Sequence, residues 1–330
     1  MSPTPRRPRR GAKAAEAEAP PRLDATAGLP MSGGGTHPSL GLGTFAMGRW
    51  ERSHEARTRA TIARALALGV RWFDSAETYG AGRSERVLGD VLAEHSGLTP
   101  PPFVVTKAWW ENLRAGQVRA SLLGSLRRLG LSSVALYLVH APNPRIPVAE
   151  TMGALADLQH EGKVGAVGVS NFDVGELEEA RAALGNVDLA VDQVKYSILA
   201  PDEGEEVLGY CRDHRIVVEA YSPLAQGLLA GRYLDDDGPP TEIRRHDPAL
   251  FGRDRLPDVL RRARGLRDLA RTLDVPLPSL ALHWLACRGV APVFGASTPE
   301  QVEAVVRAWA TRPTDEALEQ ADAVAGSVRA

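Results

Sequence analysis

The sequence predicts an α/β fold, a (β/α)8 (TIM) barrel with extra helices and a short N-terminal hairpin. Apolar runs recur eight times between about residue 40 and residue 295, separated by helix-length amphipathic stretches. The runs are continuous rather than alternating, as in parallel strands covered by helices. Almost every run also ends on a polar residue: Asp74, Lys107, His140, Asn171, Gln193 and Tyr221 in turn. In such a barrel the C-terminal strand ends open onto one face, so these side chains are expected to converge.

Residues 40–44 form the first expected strand and residues 54–68 its helix. The strand at 72–74 leads to a helix whose apolar positions Val87, Leu88, Val91 and Leu92 share a face, with Ser84-Glu85 as its start. Strand 103–107 precedes helix 115–129, and strand 135–140 precedes helix 148–161, which Gly162 stops. Strand 165–170 is followed by helix 174–184, and strand 189–193 by helix 202–214. After strand 216–221, residues 223–257 are rich in Gly, Pro, Asp and Arg and read as irregular. Helices at 258–273 and 279–288 follow, then strand 291–295. Thr298-Pro299-Glu300-Gln301 opens the last assigned helix as a capping box. An open doubly wound sheet is the competing architecture. It needs a GxGxxG turn, and Gly41-Leu42-Gly43-Thr44 lacks the third glycine.

Composition narrows the function classes. The formal net charge of -2 argues against a nucleic-acid or membrane-surface protein. Cys211 and Cys287 form no CxxC or Cys/His cluster, so neither a disulfide framework nor a metal site is expected, and a reducing, cytoplasmic setting is. No apolar stretch approaches the roughly 20 residues that span a bilayer. Residues 1–30 are expected to be a disordered Pro/Arg/Ala-rich tail, and residues 31–330 the barrel. Lysines occur only at 13, 107, 163 and 195 in this arginine-biased chain, which singles out the one ending a strand at Lys107.

The polar strand ends permit a specific chemistry. Tyr79 lies five residues beyond Asp74. A phenol, with an ordinary pKa of about 10, is a competent proton donor at neutral pH. Lys107, held charged by Asp74, would stabilise the phenolate and lower that pKa. His140, on the next strand, would hydrogen-bond a carbonyl oxygen. Together they would protonate an oxygen as negative charge develops on it. Taken singly, Asp74 with Lys107 is an ordinary structural ion pair, and Tyr79 or His140 an ordinary packed ring. Their joint placement on consecutive strand ends gives them meaning.

At this point the chain resembles the aldo-keto reductase superfamily. Gly41-Leu42-Gly43-Thr44, Phe73-Asp74 through Tyr79-Gly80, Thr106-Lys107 and Leu138-Val139-His140 are similar to its motifs in order. So are Glu161-Gly162-Lys163 through Gly168-Val169-Ser170-Asn171-Phe172, Gln193, Tyr221-Ser222-Pro223-Leu224, and Gly295-Ala296-Ser297 with Gln301. The resemblance spans about residues 39–325 and implies reduction of an aldehyde or ketone by NADPH, with NADH a second candidate. It implies Tyr79 as general acid, Lys107 and Asp74 as its tuning pair, and His140 as the group that orients the carbonyl. It also implies that Ser170, Asn171 and Gln193 hold the nicotinamide carboxamide and that Tyr221 stacks on the ring. Gly43, Thr44 and Asp74 would line the cofactor cleft. Ser222, Pro223 and Leu224 would contact the pyrophosphate, and Gly295, Ser297, Thr298 and Gln301 the adenosine end. Gly295 and Gln301 stand where many NADPH-specific members carry a lysine and an arginine. Trp50 and Trp109 are expected to line the substrate pocket with His140, while Glu77 is read as a surface residue.

The implied partner is a small carbonyl compound, with no nucleic acid and no membrane, and the implied state is a monomer or weak homo-oligomer. Two other readings compete. One is a nucleotide-binding regulatory subunit of the same fold with little turnover. The other is a metal-dependent barrel hydrolase, for which only His140 and Asp74 would serve as strand-end ligands.

Overall fold

The computed structural model describes residues 21–47, 52–201, 204–235 and 238–326. A two-stranded antiparallel hairpin, β1 (Gly28–Pro30) and β2 (Thr36–Pro38), precedes the barrel. Eight parallel strands then close on themselves: β3 (Gly41–Gly43), β4 (Trp72–Asp74), β5 (Phe103–Ala108), β6 (Val134–Val139), β7 (Val164–Ser170), β8 (Leu189–Lys195), β9 (Val217–Tyr221) and β10 (Val290–Gly295). Each pairs with its neighbour in sequence, and β10 pairs with β3 to complete the ring. The fold is the (β/α)8 barrel that the apolar periodicity predicts, and it carries the expected N-terminal hairpin.

The helices are α1 (Arg52–Ala67), α2 (Arg83–Glu94), α3 (Ala115–Leu129), α4 (Val148–His160), α5 (Val174–Leu184) and α6 (Glu205–Asp213). After β9 come α7 (Thr241–His246), α8 (Pro248–Phe251), α9 (Leu256–Thr272) and α10 (Leu277–Ala286). Helices α11 (Pro299–Ala310) and α12 (Asp315–Gly326) end the described chain. Their apolar stripes make the outer core. In α9, Leu256, Val259, Leu260, Ala263, Leu266 and Ala270 are buried, the spacing of one helical face. Gly130, at φ 66°, ends α3, and Asp173 and Glu176 close a capping box on α5.

A second core fills the barrel itself. Trp72, Val105, Leu136, Leu138, Val191 and Val293 point inward. Gly41 makes room for the largest of them: a Cβ there would sit 2.1 Å from the Trp72 ring. Leu29 and Met31, on and just after β1, pack against this core. His37 of β2 sits edge-on to Trp72 and Phe103, the first residues of β4 and β5, with ring centroids at 4.5 and 5.0 Å. The hairpin therefore stoppers the end of the barrel where the strands begin, and the strand C-termini form the opposite mouth. Strand β1 draws Gly28–Pro30 into the fold, so the hairpin starts before Met31. The tail expected over residues 1–30 lies outside the described residues as far as Pro20.

The structure corrects three local readings. The stretch 223–257 carries a 3-10 turn at Ala225–Ala230 and the short helices α7 and α8, the latter capped by Asp247, whose side chain accepts from Leu250 N–H. Ser84 and Glu85 do not cap α2. Gly82, at φ 79°, stands at the N-cap, and both residues turn inward. Ser84 Oγ meets Thr44 and Ser75 hydroxyls, while Glu85 accepts from Thr106 Oγ1 at 2.6 Å and Arg128 Nε at 2.5 Å. The capping box at α11 is half formed. Thr298 Oγ1 accepts from Gln301 N–H at 3.4 Å, but the Gln301 carboxamide reaches Ser297 rather than the Thr298 N–H. Helix α12, unassigned from sequence, is held on α10 by Asp322, which accepts from Trp284 Nε1 and Arg288 Nη2 at 2.8 and 2.7 Å. Among the described residues no helix is long and apolar enough to cross a membrane.

Candidate active site

The register of the barrel brings the polar strand ends together. Gly295, Gly43 and Asp74 are lateral neighbours across β10, β3 and β4, and Ser170, Gln193 and Glu219 are lateral neighbours across β7, β8 and β9. Lys107 enters from β5 and His140 directly follows β6.

Lys107 is buried, and three acceptors surround its ammonium: Asp74 Oδ1 at 2.7 Å, Asp74 Oδ2 at 2.6 Å and the Ser75 carbonyl at 3.0 Å. Asp74 is itself held from behind, where Thr44 N–H and Oγ1 both donate to its carbonyl. Burial disfavours the ammonium, but Asp74 and Tyr79 more than offset this, and the Lys107 pKa lies above the ordinary lysine value. Burial pushes the Asp74 carboxyl upward against the pull of Lys107, with Glu219 adding to the push. The two-pronged contact makes the pair an ammonium and a carboxylate.

The Lys107 ammonium lies 5.3 Å from the centroid of the Tyr79 ring and acts on the phenol through its charge. From sequence, that charge was expected to lower the phenol's pKa. The net direction is the reverse: burial raises it, Lys107 offsets only part, and Asp74 raises it further. Tyr79 is therefore a protonated phenol throughout the neutral range.

His140 faces Tyr79 edge-on at 5.7 Å and Trp109 at 5.3 Å. Burial first, then the Lys107 charge, depress its pKa to about 3, so the ring is a neutral imidazole at any ordinary pH. Its Nδ1 is buried and has no hydrogen-bond partner among the described residues.

Next to this cluster a hydrogen-bond chain fixes the remaining polar ends. Tyr221 OH donates to Asn171 Oδ1 at 2.9 Å, and Asn171 Nδ2 donates to His140 O at 3.1 Å and Ser170 Oγ at 2.9 Å. Ser170 Oγ donates to Gln193 O at 2.7 Å, and Gln193 Nε2 to Asp74 Oδ2 at 2.9 Å. Asn171 holds a left-handed backbone, φ 61°, a conformation that asparagine tolerates better than most residues. Beyond Tyr221 the loop is curled, with Ser222, Ala225, Gln226 and Gly227 all at positive φ. For the non-glycine residues Ser222, Ala225 and Gln226 such backbone costs roughly 1–3 kcal/mol each, and it concentrates at ligand-holding segments. At the start of α11, Gln301 Oε1 accepts from Ser297 N–H at 2.8 Å and Ser297 Oγ at 3.2 Å, while Gly295 is exposed and brings no charge.

Two mouth residues were missed from sequence. Glu77, read as a surface residue, is half-buried and accepts from Trp109 N–H at 2.7 Å and Asn112 Nδ2 at 3.1 Å, which seats the Trp109 segment beside His140. Phe45 stands 63% exposed with its ring edge-on to Tyr79 at 5.2 Å. An aromatic side chain directly after the Gly41–Thr44 segment was the available signal. Trp50 lies outside the described residues.

A phenol, an ammonium–carboxylate pair and a neutral imidazole stand together at the mouth of a parallel barrel, a set whose chemistry suits donating a proton to an oxygen. The Aldo/keto reductase family model matches residues 39–325, and the chain belongs to that family of oxidoreductases. It is 36% identical over 281 residues to an uncharacterized oxidoreductase of Mycobacterium tuberculosis, covering 83% of this chain and 85% of that one. It is 31% identical over 298 residues to the NADH-specific methylglyoxal reductase of Escherichia coli, covering 82% and 89%. An aldo/keto reductase from Klebsiella pneumoniae solved with NADP and acetate superposes with a TM-score of 0.70 at 26% identity, covering 89% of this chain and 94% of that one.

Proposed function

We propose that the protein reduces an aldehyde or ketone to the alcohol, with NADPH as its reductant and NADH accepted as well. The cluster of Tyr79, Lys107, Asp74 and His140 at the barrel mouth carries this reading. When bound, the cofactor supplies a hydride to the carbonyl carbon. Tyr79 donates its phenolic proton to the carbonyl oxygen as charge develops there. Lys107 stabilises the phenolate left behind and Asp74 keeps Lys107 charged. The neutral His140 fixes the oxygen by a hydrogen bond without adding a competing positive charge.

The donor set suits a nicotinamide. Gln193 spends its amide hydrogens on Asp74 and Glu219, leaving its Oε1 to accept from a carboxamide. Ser170 and Asn171 complete that contact, and the Tyr221 ring offers a face to the nicotinamide. Gly43 and Thr44 flank Asp74 at the same cleft. The curled loop from Ser222 through Pro223 and Leu224 would receive the pyrophosphate. Gly295, Ser297, Thr298 and Gln301 would receive the adenosine end, where the α11 N-terminus favours negative charge. Gly295 and Gln301 themselves carry no charge toward a 2′-phosphate, which fits acceptance of NADH. Phe45, Trp109 and His140 would wall the substrate, favouring carbonyl compounds with an apolar or aromatic substituent. The unbroken catalytic set favours turnover over a purely regulatory role.

Loss of NADPH absorbance with a panel of aldehydes, ketones and sugars tests the function. Oxidation with at least one carbonyl class is expected, at rates within about tenfold for NADH, since a solvated phosphate contact supplies roughly 1 kcal/mol. No oxidation of either cofactor, despite measurable binding, would favour the regulatory reading.

The two shifted pKa values set the pH behaviour. Reduction is expected to be flat from about pH 5 to pH 9, because His140 stays neutral and Tyr79 protonated across that range. An activity step near the ordinary histidine pKa would contradict this. Stability responds differently. Below pH 6.5 an unfolded histidine takes up a proton that folded His140 refuses down to about 3, so the native state loses stability across that window. His140→Gln removes this loss, so its melting temperature relative to the parent should rise as the pH is lowered.

A further inference from the structure

Glu219 interrupts the apolar run of β9 and is fully buried inside the barrel. Both its oxygens are engaged. Oε2 accepts from Gln193 Nε2, and Oε1 lies 2.7 Å from Nε2 of His37, equally buried on the hairpin 182 residues earlier. His37 Nδ1 lies 2.8 Å from the Pro38 carbonyl, which can only accept, so Nδ1 carries a hydrogen. Nε2 then either donates to a Glu219 carboxylate or accepts from a Glu219 acid. One proton lies between the two residues in either case. Trp72 and Phe103 hold the imidazole edge-on, so its direction is set by the stopper of the barrel floor.

The consequence falls on Gln193. A primary amide has two hydrogens. One goes to Asp74 Oδ2 at 2.9 Å and the other to Glu219, so neither is free and the amide cannot rotate to exchange its nitrogen and oxygen. We propose that Glu219 and His37 are positioning residues of the cofactor site: they pin the Gln193 amide so that its Oε1 is presented as acceptor to the nicotinamide carboxamide. The proposal rests on the reading of Gln193 as a nicotinamide ligand. It extends the working site from the mouth through the barrel interior to the hairpin.

The test compares binding of NADPH with that of 2′-phospho-ADP-ribose, which lacks the nicotinamide, by titration calorimetry on the whole protein. Glu219→Leu frees one amide hydrogen and should weaken NADPH by about tenfold, the size of one oriented hydrogen bond, with the fragment unchanged. Glu219→Gln keeps an acceptor for Gln193 and a donor for His37, and should restore most of that loss. If Glu219→Leu does not fold, the double variant His37→Leu/Glu219→Leu replaces both buried polar groups together and avoids leaving either unpaired. The same selective loss of NADPH is expected from it. Equal weakening of NADPH and the fragment, or no weakening of NADPH in a folded variant, overturns the positioning role. Gln193→Leu separates the two levels: if it leaves the ratio of affinities unchanged, Gln193 is not a nicotinamide ligand and the proposal falls with it. If it lowers the ratio while the Glu219 and His37 variants do not, only the proposal falls.

Discussion

Replacing Tyr79 with Phe is expected to lower turnover by roughly 10²–10⁴ while leaving cofactor affinity within a few-fold, the usual contribution of a positioned general acid. The substitution removes only the hydroxyl. The ring keeps its contacts with Phe45 and His140, so the mouth should hold its shape. The buried Lys107–Asp74 pair, whose three nearest acceptors are independent of the phenol, also stays intact. Steady-state rates and cofactor titration on the same preparation make the check. Turnover within a few-fold of the parent would remove Tyr79 from the chemistry.

The second large effect is on stability. Lys107→Met leaves Asp74 as a buried carboxylate without its cation, beside Glu219, which already disfavours its charge. Breaking a buried pair on one side costs about 3–5 kcal/mol, because the remaining charge is uncompensated. Chemical denaturation at neutral pH should show that loss, and turnover should fall with it. The double variant Asp74→Asn/Lys107→Met takes both charges away and should recover much of the stability but none of the activity. Recovery of turnover in the double variant would mean that the pair is structural. A single variant as stable as the parent would mean that Asp74 finds another cation or is already protonated.

Much of this architecture could be read from the chain, and the reasons are local. Parallel strands buried on both faces leave continuous apolar runs, and a strand that ends at a barrel mouth leaves a polar residue after the run. That is why Asp74, Lys107, His140, Asn171, Gln193 and Tyr221 stood out, and why the closed order of strands could be anticipated. What escaped depends on partners distant in sequence. Ser84 and Glu85 look like a helix start by composition, yet Thr44, Thr106 and Arg128 draw them inward. Glu77 looks like a surface acid until the Trp109 backbone arrives to use it. The direction of the Tyr79 shift depended on the depth of burial weighed against a nearby charge, which no spacing encodes. Glu219 did carry a signal, a carboxylate inside Val217-Val218-Glu219-Ala220. Its partner His37 arrives on a hairpin that packs from the far end of the barrel, so the meaning of the signal appears only in three dimensions.

Mass spectrometry of the alcohol formed with NADPH deuterated at both C4 positions of the nicotinamide follows the hydride itself. A single deuterium on the carbinol carbon, absent when Tyr79→Phe replaces the parent at equal time, is the expected result. An alcohol formed without the label, or no alcohol from any carbonyl class although NADPH binds, would contradict carbonyl reduction at this barrel mouth.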